Sequence, residues 1–157
     1  MNATRRFILA CGFMVLPLGT AAAVPTNSAD VMLRKDALVP AAFTGTQLLF
    51  LDPTFTELAP SVKEINVWST STIEIDGYRS SVSTLRVDCG SREFAIVGFA
   101  GFRSTFWGGD PAVHNQSNTP PLWKPISASC SLLKSVCTSE RSGRTMFYGP
   151  NESASCF

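Results

Sequence analysis

The middle of the chain alternates apolar and polar residues with a period of two, which is the pattern of a β-strand with one buried face. Residues 64–76 and 80–89 both show it. The positions expected to point inward are Ile65, Val67, Ile73, Ile75, Leu85, Val87 and Cys89. Gly77 and Tyr78 separate the two runs, and they predict a turn.

Residues 46–53 and 93–102 predict two more strands. The first is expected to end at Pro53, because proline has no amide hydrogen for the ladder. The second is apolar on both faces, so it is expected in the centre of the sheet with Ile96 buried. Gly98 and Gly101 within it predict a bulge or the close approach of another segment.

Helical spacing replaces the strand pattern in residues 127–137. Ser127 or Ser129 can cap the helix, and its apolar stripe is expected to pack on the strands. The residues of that stripe are Leu132, Leu133 and Val136. Residues 103–125, rich in glycine, proline and asparagine, predict a long surface loop, and residues 24–45 lack a sustained period and predict a loosely ordered N-terminal arm.

The first 23 residues have the layout of a secretory signal peptide. Arg5 and Arg6 precede an apolar run over residues 7–18, and the small residues 21–23 predict cleavage after Ala23. An apolar run of about a dozen residues is too short to span a bilayer, so no integral membrane span is expected. An alternative reading takes residues 8–11 as a lipoprotein box with Cys11 lipidated, but too few apolar residues precede it. The sequence therefore predicts an exported protein, periplasmic or secreted.

Charge narrows the range of partners. The whole chain carries 13 basic and 12 acidic residues, and two arginines leave with the signal peptide. A net charge close to zero gives no strong field for nucleic acid, so no nucleic-acid partner is expected. The remaining residues 24–157 are enough for one domain with its own core.

Four cysteines remain after cleavage: Cys89, Cys130, Cys137 and Cys156. An even number in an exported chain predicts disulfides, and the spacing lacks the close pairs typical of zinc sites. Within a helix, Cys130 and Cys137 would lie about 10 Å apart, which exceeds the limit of about 7 Å for a disulfide. Two pairings remain: 89–137 with 130–156, or 89–130 with 137–156.

Candidate catalytic chemistry is sparse. His114 is the single histidine and follows Asp110 by four residues, so it is a candidate general base or metal ligand. No further ligand lies nearby in sequence, and a solvated loop histidine is the simpler interpretation. Asp52, Asp88 and Glu93 are candidate paired carboxylates, although outward strand positions or turn caps are the simpler explanation. We therefore predict no catalytic residue, metal or cofactor.

Aromatic residues give a stronger indication. Phe102, Phe106 and Trp107 gather near the predicted loop, and tryptophan is enriched at interface anchors. They are a candidate protein-contact patch, with core packing as the alternative. Trp123 lies between Pro121 and Pro125 and is expected to cover the edge of the sheet.

Several short motifs occur in an order that resembles the bacterial surface-adhesin protein E family. They are "LFLDP", "VW", "LRVDC…REFAIVGF", "PPLWKPI" and a helix ending "SVC", and together they cover residues 46–137. The resemblance implies an α+β fold, with a small antiparallel sheet packed by one C-terminal helix. It also implies a disulfide from the strand end to the helix end, Cys89 to Cys137, which leaves Cys130 for Cys156.

The same resemblance implies a function. The best-known member of the family is an outer-surface adhesin for host extracellular-matrix and plasma proteins, so we expect a non-catalytic exported module that binds a host matrix or envelope protein. The adhesin-E-like domain would span residues 46–157, with a C-terminal extension from about residue 139. A small periplasmic enzyme using His114 and a structural envelope component are the alternatives.

Overall fold

An antiparallel β-sheet forms the centre of the protein, and helices pack on its two faces. The structure, a computed structural model, describes residues 24–43 and 45–138. The elements in those residues are α1 Ser28–Arg34, β1 Val39–Phe43, β2 Gln47–Ala59, β3 Val62–Ile75, β4 Tyr78–Asp88, β5 Glu93–Phe102, β6 Val113–Gln116, β7 Lys124–Pro125 and α2 Ser131–Thr138. The predicted α+β fold is therefore confirmed.

The strand order follows the order of the chain. Strands β1 to β6 pair successively as antiparallel neighbours, since short connections favour hairpins. On its other side, β5 pairs with β6 over residues 98–101 and with β7 at residues 93 and 94. Strand β5 therefore has neighbours on both sides, although it lies next to one edge of the sheet and not at the predicted centre.

The β3–β4 hairpin turns at Asp76 and Gly77. Both have positive φ, 51° and 84°, as the favoured two-residue hairpin turn requires. Glycine tolerates that conformation without steric cost, and aspartate tolerates it better than most residues. The turn was predicted one residue later, at Gly77 and Tyr78.

One face of the sheet, here called the helix face, packs against α2. Leu132, Leu133 and Val136 are buried there, as predicted. Their partners on the strands include Ile65, Val67, Leu85, Val87 and Phe94. A disulfide joins Cys89, directly after β4, to Cys137 in α2, with a Cα–Cα distance of 5.4 Å. This bond is confirmed, whereas the predicted Cys130–Cys156 bond involves a residue outside the described part of the chain.

The opposite face, here called the cover face, packs against the N-terminal segment and a 3-10 turn over Thr105–Trp107. The prediction of a loosely ordered arm over residues 24–45 is wrong. The Asn27 side chain accepts a hydrogen bond from the Asp30 amide and caps α1, while β1 adds an edge strand to the sheet. Val24 and Val31 then reach the core of this face.

A covered second face changes the environment of β3. Glu64 and Asn66 lie on the polar side of the alternation, which predicts exposure to solvent, but both are buried, at 5% and 0% exposed. The alternation correctly separated the two sides of the strand. It did not show that both sides are covered.

Strand β2 does not end at Pro53 as predicted. It continues to Ala59, and its pairing with β3 shifts between Leu51 and Phe55. An irregularity of this kind removes Pro53 from the regular ladder, so its missing amide hydrogen is tolerated.

Three isoleucines predicted to be buried are exposed. Ile73 and Ile75 lie beyond a break in the β3–β4 register after Thr70, where the hairpin extends past its regular pairing. Ile96 lies beside a bulge, because Thr84 pairs with Gly98 and Leu85 with Ile96, which leaves Val97 without a partner on β4. Val97 is buried and Ile96 is 48% exposed.

The remaining predicted loop, residues 103–125, is partly structured. It contains the 3-10 turn, β6 and β7. In the described ranges no helix combines the length and the apolar character needed to cross a membrane. The predicted signal peptide, residues 1–23, and the predicted extension from residue 139 lie outside the described residues.

Candidate functional site

Among the residues that the structure describes, the helix face of the sheet is only partly covered, and its open part forms a groove. Helix α2 packs on the end that carries Leu85 and Val87, whereas Ser69 and Ser81, at the other end, line a depression of about 270 Å³. We call this depression the serine groove. Its lining residues are Gln47, Ser69, Ser71, Ile75, Asp76, Tyr78, Arg79, Ser80, Ser81 and Phe99.

Hydroxyl groups form the floor of the serine groove. Ser69 and Ser81 face each other across β3 and β4, with their Oγ atoms 2.8 Å apart. The Ser71 hydroxyl donates to the carbonyl oxygen of Thr46 at 3.1 Å and accepts from the Ile73 amide at 3.2 Å. These bonds fix the hydroxyls, because each serine is tied to a neighbouring strand or to its own chain.

Two aromatic rings line the groove with the serines. Tyr78 and Phe99 meet edge to face, with ring centroids 5.8 Å apart. The Tyr78 ring also lies against Gly101, where a side-chain Cβ would come within 2.7 Å of the ring. The predicted close approach at Gly101 is therefore confirmed, and it explains why glycine is needed there.

The groove contains one residue of each charge sign, Arg79 and Asp76. Both are exposed at the hairpin end of the groove. Hydroxyl donors and acceptors, a guanidinium, a carboxylate and two rings suit the recognition of a polar side chain or a short polar segment. This combination provides hydrogen bonds and apolar contact at one place.

The predicted aromatic patch is divided by the structure. Phe102 and Trp107 are buried in the core of the cover face, and only Phe106 is exposed, at 58%. Trp107 packs edge to face on Trp68 and Phe50, with centroid distances of 5.1 Å and 5.6 Å. The interpretation of all three as one surface patch is therefore wrong, and two of them are core residues.

Strand hydroxyls hold Phe106 and Trp107 in place. The Phe106 amide donates to Thr70 Oγ1 at 3.0 Å, and the Trp107 amide donates to Ser80 Oγ at 2.9 Å. The indole Nε1 of Trp107 donates to the carbonyl oxygen of Ser81 at 2.9 Å. These bonds direct the Trp107 ring inward and leave the Phe106 ring in solvent.

His114 lies on β6, at the edge of the sheet, and is exposed. It pairs with Ala100 in the β5–β6 ladder. Asp110 accepts a hydrogen bond from the Ser28 amide at 2.9 Å, so its carboxylate contacts the start of α1. In the ranges that the structure describes, no group of three or more histidine, cysteine, aspartate or glutamate side chains is arranged to hold a metal ion.

The three candidate carboxylates have separate structural positions. Asp52 is buried and accepts from the Thr54 amide at 2.9 Å within β2. Asp88 accepts from the Gly90 amide at 2.8 Å at the β4–β5 turn, and Glu93 pairs with it across that turn. The pKa of Asp88 is lowered, most of all by a hydrogen bond from the Ser61 hydroxyl and further by hydrogen bonds from the Gly90 and Ser91 amides. This carboxylate therefore acts as a turn cap.

Trp123 is half-buried and directly precedes β7, which pairs with the start of β5. That it covers this edge of the sheet stays a prediction. The serine groove itself was not predicted from the sequence. Its only sequence signal is the abundance of serine and threonine in residues 69–72 and 80–84, which are far apart until the hairpin forms.

A search of family models, of curated proteins and of solved structures found no match for this chain.

Proposed function

We propose that this protein is an exported, non-catalytic binding module that recognises a protein ligand through the serine groove. The ligand class is a host matrix protein or a protein of the bacterial envelope. This proposal follows the resemblance of residues 46–137 to the surface-adhesin protein E family, and the groove gives that resemblance a physical site.

One observation carries the proposal: within the described residues, part of the helix face of the sheet is left open beside the part that α2 covers. Ser69 and Ser81 line the depression at this place and are only partly buried. A rigid sheet that presents fixed hydroxyls beside two aromatic rings binds with little ordering cost, because its groups are already in position.

Export is supported by two features. The first 23 residues have the layout of a signal peptide. The Cys89–Cys137 disulfide fits a protein that folds in an oxidising compartment, since disulfides are rare in reducing ones.

Arg79→Ala tests the groove. We expect this change to weaken binding to an immobilised panel of purified extracellular-matrix proteins, measured by surface plasmon resonance, at least tenfold for any member that the native protein binds. The exposed Arg79 guanidinium offers a charged hydrogen-bond fork to a ligand, and such contacts are frequently strong at protein interfaces.

Lys124→Ala is the matched control, because it also removes one exposed positive charge but lies on β7, which pairs at residue 94 rather than beside the groove. Equal losses in the two variants would indicate a general charge effect and would contradict the proposal. Binding by the native protein to none of the matrix proteins would restrict the ligand to the envelope. The same pair of variants would then be compared by chemical crosslinking to isolated envelopes.

A further inference from the structure

A row of polar side chains lies buried on the cover face, and we call it the polar row. Its members are Glu64 and Asn66 on β3 and, directly opposite them, Arg86 and Thr84 on β4. Arg86 Nε donates to Glu64 Oε2 at 2.9 Å, and Thr84 Oγ1 donates to Asn66 Oδ1 at 2.6 Å. Glu64, Asn66 and Thr84 are all buried, and Arg86 is partly exposed.

The N-terminal segment lies over this row, and residues 24–38 are here called the cover segment. Val24 and Pro25 are buried. A side chain at Gly98 would place its Cβ 2.4 Å from Val24 Cγ2 and 3.3 Å from Thr84 Cβ, so Val24 lies directly over Gly98 beside the polar row. Gly98 is therefore the other predicted close approach, and the approaching segment is the N-terminal one.

In the described part of the chain, the cover segment leaves two buried donors of this face without an acceptor. Val24 and Val31 pack in an apolar cluster with Trp68, and their side chains carry no polar atom. Within the described residues, the Asn66 Nδ2 atom and the Trp68 Nε1 atom are fully buried without a hydrogen-bond partner. Buried donors without an acceptor are unfavourable, so a ligand whose oxygen atoms accept hydrogen bonds from these two donors would lower the free energy.

The attachment of the cover segment suits a displaceable element. Helix α1 has seven residues, which is too short to be stable without its packing. It is held through Val31 in the core and through the exposed hydrogen bond from the Ser28 amide to Asp110. Strand β1 follows it and is anchored separately on β2, so the cover segment can leave without breaking the sheet.

We infer that the polar row is a second binding site for an uncharged saccharide, and that the cover segment occludes it. Glu64 and Arg86 neutralise each other, so the row does not favour a charged ligand. The amide and indole donors match the hydroxyl and acetamido oxygens of a sugar, and Glu64 supplies an acceptor for its hydroxyl groups. Trp68, whose Nε1 is one of these donors, also supplies an aromatic ring two residues from Asn66 on the same side of β3.

Hydrogen exchange of the native protein tests this inference without a variant. The probes are triacetylchitotriose and maltotriose at millimolar concentration. Binding to the uncovered row displaces the cover segment, so exchange should become faster in residues 28–38 and slower in residues 64–68 and 82–86. No change in exchange with either probe, or slower exchange in all three regions, would overturn the inference.

Val31→Asp is the complementary variant, because it places a charge in the buried contact of α1. Leu33→Asp is its control, since Leu33 lies on the same helix and is 83% exposed. We expect Val31→Asp to bind at least one probe tenfold more tightly than the native protein in calorimetric titration, because opening is no longer required first. Leu33→Asp should match the native protein.

Equal affinities of the two aspartate variants for the probes would overturn the inference. It would also be overturned if the protein bound neither probe and an experimental structure showed a water molecule that bridges Asn66 and Trp68. Adding Asn66→Ala to Val31→Asp should abolish the gained affinity. The serine-groove proposal is tested separately, with matrix proteins and the Arg79→Ala variant, so either proposal can fail while the other stands.

Discussion

At the scale of single residues, backbone strain and fixed hydrogen bonds decide where the aromatic side chains point. Phe106 and Trp107 have φ angles of 52° and 56°, in the left-handed region that non-glycine residues seldom adopt. Each such residue costs about 1 kcal/mol or more and persists where its surroundings hold it. Here the hydroxyls of Thr70 and Ser80 hold the two amides.

Replacing Phe106 tests the strain directly. We expect Phe106→Gly to be more stable than Phe106→Ala by about 1 kcal/mol in urea unfolding, because glycine adopts positive φ without steric cost. At an ordinary position the alanine variant is the more stable of the two, because glycine loses more conformational entropy on folding. At Ala112, an exposed position of the same loop that lacks positive φ, the alanine should be more stable than Ala112→Gly. The same order at both positions would contradict the assigned conformation.

Asp88 should contribute to the pH dependence of stability. Hydrogen bonds from Ser61, Gly90 and Ser91 lower its pKa in the folded state, so its contribution is complete above the unfolded-state pKa and is lost as the pH falls through the folded-state pKa. Asp88→Asn should therefore reduce the fall in Tm between about pH 5 and pH 2. Glu74→Gln, at an exposed position of β3, is the comparison, and an equal effect there would contradict a specific role for Asp88.

At the scale of secondary-structure elements, the sequence predicts best what one local period can encode. The strands around Leu85 and Val87 and the apolar stripe of α2 were recognised, because alternation and helical spacing act within about ten residues. The continuation of β2 past Pro53 was not, because it depends on a bulge against β3. The serine groove and the polar row were also missed, since each requires two strands and a knowledge of what covers them.

The packing of α2 can be measured through Leu133. Leu133→Ala should lower the free energy of unfolding by about 2 to 5 kcal/mol, because Leu133 is fully buried on the helix face. Leu122 is 76% exposed, so Leu122→Ala should cost about 0.5 kcal/mol or less. A loss that small for Leu133→Ala would show that α2 does not dock on the sheet.

The disulfide should stabilise the same contact. It closes a loop with a sequence separation of 48 residues, for which chain entropy gives an upper value of about 4 kcal/mol. The double variant Cys89→Ser, Cys137→Ser should lose more stability than Cys130→Ser, Cys156→Ser when both are unfolded with urea. The reverse order would contradict the larger contribution of the Cys89–Cys137 bond.

At the scale of the whole molecule, one sheet is covered on both faces by segments from opposite ends of the described chain. The N-terminal segment had been predicted to be loosely ordered, because residues 24–45 show no sustained period. Its contribution depends on two isolated apolar residues, Val24 and Val31, and Gly98 leaves room for Val24. Sparse contacts of this kind leave little trace in a sequence.

The position of Val24 also makes the predicted processing site measurable. We expect the N-terminal sequence of the purified exported protein to begin at Val24, because the small residues 21–23 precede it. Intact-mass spectrometry would detect lipidation in the same sample. A lipidated Cys11 as the first residue would contradict the predicted secretory cleavage.

The successive pairing of β1 to β6 has a consequence for how the protein folds. From β2 to β6 each strand pairs with the strand before it, so the sheet is a series of hairpins, and such topologies fold faster than those that pair strands far apart in the chain. The strands precede α2 along the chain, so the sheet can assemble before the helix is available. Cys89 would then remain a reduced thiol, directly after β4, until α2 forms. Oxidation would be the late step that locks the helix onto a sheet already made.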